Sequence, residues 1–188
     1  MFRRAKSGVL EQLKTKKFKT RFSIFDWHPS IEKEEAFTRI RKVPDTQPGD
    51  VAVWLYMNMG THTLPGHMLF IDSAPVKLEK PRKPVVAGLD QYEVSIIDTS
   101  QEAKSRDDTR YVSDAALRDE NEAKGKERGS IASPNYKGVG RGHIRFYADA
   151  TGDIKGIAYG FDKAKFHGLD DWNIVVGRPR LVALGGKP

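Results

Sequence analysis

The sequence predicts an α+β domain: a curved antiparallel sheet of about six strands with helices gathered at its N-terminal end. Three observations predict it. Short runs rich in β-branched and aromatic residues recur from Asp50 onward, Gly, Pro and Asp residues separate them, and helical spacing falls mainly in the first 40 positions. With 188 residues the chain has room for one domain with a sizeable core, and too few residues for two complete ones. The charge and the periodicity divide it into a basic helical segment, 1–30, and a β-rich domain, 31–188.

Residues 3–20 carry Val9, Leu10, Leu13 and Phe18 on one side at helical spacing, which predicts a short basic helix. Asp26 to Pro29 breaks that pattern. Over 32–40, Ala36, Phe37 and Ile40 stand at the intervals of a second short helix, and the two prolines of "PDTQPGD" end it. "VAVWLYM" (51–57), "HMLFIDSA" (67–74) and "YEVSIIDTS" (92–100) then read as three consecutive antiparallel strands. The intervening "KLEKPRKPVVAGLD" is a polar loop with room for a strand fragment. Residues 101–137 are highly charged and poor in apolar side chains, with a short helix over Ser113–Ala123. A connection of that length in a compact domain is functional or mobile. "GHIRFYAD" (142–149) and "IKGIAYGF" (154–161) flank the turn "ATGD" as a hairpin, and "WNIVVGRPRL" (172–181) supplies a last strand.

Composition narrows the function classes. Eight basic residues against Glu11 and Asp26 put six of the seven net positive charges in residues 1–30, leaving the remainder of the chain nearly neutral. Residues 1–21 therefore form an arm able to meet a polyanion, either nucleic acid or an anionic cell-wall polymer, with a solvated helix face as the plainer alternative. The chain has no cysteine, which excludes disulfides, thiolate metal sites and a thiol nucleophile within it. No stretch has the ~18 consecutive apolar residues of a membrane helix. No apolar segment follows the basic residues of "MFRRAKSGVLEQL", so no secretory signal is expected, and the compartment stays open.

Of the five histidines, His28, His62, His67, His143 and His167, the one placed for chemistry is His67. It follows Gly66 at the first position of an apolar strand, hence at the rim of a sheet, and an imidazole accepts a proton near neutral pH. A histidine base needs an acceptor to orient it. Asp98 ends the next strand, and antiparallel pairing sets the end of that strand beside the start of the one carrying His67. The structural alternative makes Gly66 a turn residue, His67 a half-buried polar cap and Asp98 a turn former. Neither the spacing of His62 and His67 nor the carboxylates near them fit a zinc site, and no residue pattern calls for a cofactor or a metal. "GVGRG" (138–142) leads into a strand and not a helix N-terminus, so its glycines read as a tight approach to the Ile144 strand rather than a phosphate cradle. "DDTR" (107–110) reads as a solvated loop.

The succession "PGDVAVW", "GHMLFID", "VSIIDTS" resembles the NlpC-type and CHAP-type cell-wall cysteine peptidases. In these a Pro-Gly-Asp turn opens one strand, Gly-His opens the next and a polar residue on a third completes a triad. "GVGRG", the Asp149–Gly152 hairpin and Val176–Pro179 extend the likeness toward one bacterial subgroup, over about residues 27–181. The resemblance implies a papain-like fold and hydrolysis of peptidoglycan peptide amides, with His67 as general base and Asp98 as its orienting partner. If the chain binds a peptide or glycan, Trp54, Tyr56 and His62 near the cleft are the candidates to contact it, with Trp54 equally a core residue. The family's nucleophile is a cysteine at the start of a helix, and this chain has none. Two expectations follow: a longer protein whose first segment carries the cysteine, or a relative that kept the sheet and lost the chemistry. The opposing expectation is a binding module that docks on a polyanion through residues 1–21.

Overall fold

The computed structural model describes residues 23–57, 65–100, 103–111, 138–159 and 164–180. The expected helices over 3–20 and Ser113–Ala123, the basic arm 1–21, most of the 101–137 connection and His62 fall outside them. The architecture corrects the α+β, papain-like expectation. Among the described residues there is one α-helix, α1 (Ile24–Glu32), against nine antiparallel strands in one sheet that does not close. These are β1 (Phe37–Ile40), β2 (Val51–Tyr56), β3 (Gly66–Ile71), β4 (Val76–Lys77), β5 (Asp90–Ser100), β6 (Gly138–Ala148), β7 (Ile154–Tyr159), β8 (Lys165–Gly168) and β9 (Trp172–Pro179). Their order is β1-β9-β2-β3-β5-β6-β7-β8, with β4 on the flank of β5.

Two local readings fail for physical reasons. The helix expected over 32–40 is largely a turn followed by β1. Phe37 packs against α1 while Ile40 enters the opposite core, so a strand buried on both faces mimics the three-residue interval of a helix. The helix lies instead where Asp26 and Pro29 were expected to break the pattern. The Asp26 carboxylate accepts hydrogen bonds from Ser23 N at 2.7 Å and Ser23 Oγ at 3.0 Å, fixing the first turn, and Pro29 is tolerated inside it.

The sheet curls around its larger core. Alternate residues turn inward, among them Ala52 and Trp54 of β2, Leu69 and Ile71 of β3, Val94 and Ile96 of β5, and Ile144 and Phe146 of β6. The other face of β1, β9, β2 and β3 is covered by α1 through Trp27 and Ile31, packed on Phe37, Val51, Val53 and Val175. Beyond β1, Lys42 and Asp153 form an isolated antiparallel bridge, and Val43 N donates to Gly152 O at 2.9 Å, tying the β1 side to the start of β7 across the curl. Gly66 begins β3 because a side chain there would collide with the Trp54 carbonyl and come within 2.9 Å of Ile24 Cδ1.

Candidate functional site

Strands β3 and β5 pair so that Leu69 faces Asp98. His67 lies two residues earlier, on the same inward face as Leu69 and Ile71, and reaches Asp98 diagonally. Its Nε2–H donates to Asp98 Oδ2 at 2.7 Å, with the histidine side chain 18% exposed and the aspartate side chain fully buried. Nδ1 meets no hydrogen-bond partner among the described residues. An ionised carboxylate on Nε2 selects the tautomer that leaves Nδ1 as an acceptor, which is the state of a general base ready for a proton.

The second oxygen of Asp98 is held from the other side. Arg110 Nη2 stands 2.6 Å from Asp98 Oδ1, as an ion pair rather than an aligned hydrogen bond, and 2.7 Å from Asp108 Oδ2. Its Nε donates to Asp108 Oδ1 at 2.9 Å, the same oxygen that accepts from the Arg110 backbone N–H. Lys104 Nζ donates to Ser100 Oγ at 3.0 Å, lies 4.0 Å from Asp98 Oδ2 and sits 4.3 Å above the Tyr159 ring. Two carboxylates and two cations are thus buried together, each with a partner of opposite sign. Hydrogen bonding to Asp108, with burial opposing it and Asp98 reinforcing it, raises the Arg110 pKa further above its ordinary value. Burial pushes Asp108 upward, but the Arg110 guanidinium and the amides of Lys104 and Arg110 outweigh it and hold the carboxyl below the usual range.

Two expectations about this region change. "DDTR" is solvated on one side only: Asp107 and Thr109 are exposed, whereas Asp108 and Arg110 are each 3% exposed. "GVGRG" is the first half of β6 itself, with Gly138, Gly140 and Gly142 on the inward face opposite Ser100, Asp98 and Ile96. A Cβ on Gly140 would strike the Arg110 guanidinium, and one on Gly142 would strike the Asp108 carboxylate. Gly140 and Gly142 therefore leave a trough that the Arg110 and Asp108 side chains occupy. Backbone groups seat that segment on the edge of β6: Thr109 N donates to Arg141 O at 2.9 Å, and His143 N donates to Ser105 Oγ at 2.9 Å.

Beside the dyad runs a row of rings. His67 contacts Trp54 at a centroid distance of 5.2 Å, Trp54 stacks on Trp172 at 5.3 Å, and Trp172 stacks on His167 at 3.6 Å. Tyr56 meets Trp172 edge-on at 5.0 Å. Trp54 is only 1% exposed and belongs to the core, while Tyr56 is half-buried. His28 is also buried and ties α1 to β9 through Asn173 O at 2.9 Å. The structure thus brings His67 and Asp98 together and adds Lys104, Asp108 and Arg110, which the sequence reasoning missed. Their signal was the inward stripe of glycines, which marks a trough that other side chains must fill. Among the described residues no cluster of histidines and carboxylates is arranged to hold a metal ion, and no helix is long and apolar enough to cross a membrane.

The chain is similar to the uncharacterized protein R653 of Acanthamoeba polyphaga mimivirus, at 26% identity over 159 residues. The match takes in 81% of this chain and 62% of the viral protein. No family profile and no solved structure matches it.

Proposed function

We propose that the inner face of β3 and β5 carries the acid–base half of an amide-hydrolase site of the peptidoglycan-peptide type, and that the chain as given lacks its nucleophile. The observation that carries the reading is the 2.7 Å contact between His67 Nε2 and the buried Asp98. His67 takes the proton of an attacking group at Nδ1 and returns it to the leaving amine, while Asp98 holds the ring in one tautomer and balances the imidazolium that forms. The attacking group is not a thiol of this sequence, which contains no cysteine. Without it, positioning and proton transfer alone give weak turnover, and substrate engagement is the property to measure.

The test is a titration of the protein with a soluble peptidoglycan stem peptide, followed by histidine ring NMR. The His67 signals are expected to move on addition, and His67→Ala is expected to weaken binding about tenfold, equivalent to ~1.4 kcal/mol. Unchanged affinity in His67→Ala rejects the reading. A second reading, docking on a polyanion through residues 1–21, is favoured by the six net positive charges of residues 1–30. It requires steep weakening with added salt and indifference to His67→Ala, so the same variant separates the two.

A further inference from the structure

We propose that Arg110 is a positioning residue that sets the orientation and the proton affinity of His67 through Asp98. The proposal rests on the reading of His67 as a base and extends it by one shell of residues. Asp98 presents one oxygen to His67 and the other to Arg110, at 2.7 and 2.6 Å, so the carboxylate cannot rotate without losing a contact on both sides. Arg110 is itself fixed, because Asp108 accepts from both its Nε and its Nη2. The Arg110 and Asp108 side chains lie directly over Gly140 and Gly142, where a Cβ would strike them. This amounts to a four-part relay, Asp108 to Arg110 to Asp98 to His67, built from a loop, a glycine-faced strand and two neighbouring strands.

The charges give the relay a sign. Among the described residues, the carboxylates of Asp98 and Asp108 stand against the cations of Lys104 and Arg110, two charges of each sign. Among the described residues, Tyr159 under Lys104 and the half-buried His167 beyond Trp172 also face it. On the outer side of the segment, the exposed Asp107 is paired with His143 at 2.9 Å. Protonating His67 adds one positive charge to this group. The Asp98 carboxylate favours that proton and the Arg110 guanidinium opposes it.

The experiment follows the His67 ring nitrogens by NMR across pH in the full chain and in two variants. Arg110→Gln removes a positive charge, and the His67 titration midpoint is expected to rise by about one pH unit, with both neutral tautomers appearing as Asp98 is freed. Asp108→Asn removes a negative charge and is expected to lower the midpoint by several tenths of a unit. A merely structural Arg110 would not give shifts of opposite sign in the two variants. If Arg110→Gln fails to fold, as judged by the His28 and His167 signals, Asp108→Asn decides alone. A midpoint in the folded variants within about 0.2 units of the parent overturns the proposal. Because the readout is a titration and not turnover or stem-peptide binding, its failure is distinguishable from failure of the hydrolase reading.

Discussion

Asp108 illustrates how much a single buried carboxylate can carry. Its folded pKa is depressed, so its contribution to stability is fully present above the unfolded value near ~3.9 and is lost as pH falls through the folded value. Asp108→Asn is therefore expected to lower the urea midpoint at pH 7, with the gap to the parent shrinking below about pH 4. A gap that is constant from pH 7 to pH 3 would show that the charge of Asp108 contributes nothing. His67 and Asp98 were legible because each stands at the end of an apolar run, and antiparallel pairing alone brings such ends together. Arg110 was not. Its carboxylate partners include Asp98, 12 positions back on another strand, and nothing in "DDTR" distinguishes a buried guanidinium from a solvated one.

At the scale of elements, β6 changes character along its length. From Arg145 to Ala148 it pairs with both β5 and β7, and its first half gives up inward side chains at Gly140 and Gly142 to admit Arg110 and Asp108. Gly140→Ala is expected to displace Arg110 and cost about 1–3 kcal/mol in urea unfolding. Val139→Ala, on the exposed face one position away, is expected to change stability by less than about 0.5 kcal/mol. Equal effects of the two would mean that the trough is not filled. The six longer strands were visible as runs of β-branched and aromatic residues. The short ones were not: β1 imitates helical spacing, and β8 is "KFHG", where Phe166 alone supplies apolar character and no alternation can be read.

The whole molecule is an open sheet whose two sides are brought together by contacts across the curl. Trp172 is central to this, sandwiched between Trp54 and His167 with Tyr56 and Tyr159 at its edges. Trp172→Ala is expected to cost about 3–5 kcal/mol, read as a lowered urea midpoint, and to blunt near-UV circular dichroism. A loss under about 1 kcal/mol would show that β8 and β9 are held by other means. The positions of these parts along the chain have a further consequence. His67, Asp98, Asp108, Arg110 and Gly142 all fall within residues 67–142, whereas α1, β1, β2 and β9, which cover the outer face and complete one side of the sheet, come from before and after that stretch. The chemistry is thus threaded through one interior block of the chain, while the outer cover of the sheet is supplied from both sides of that block.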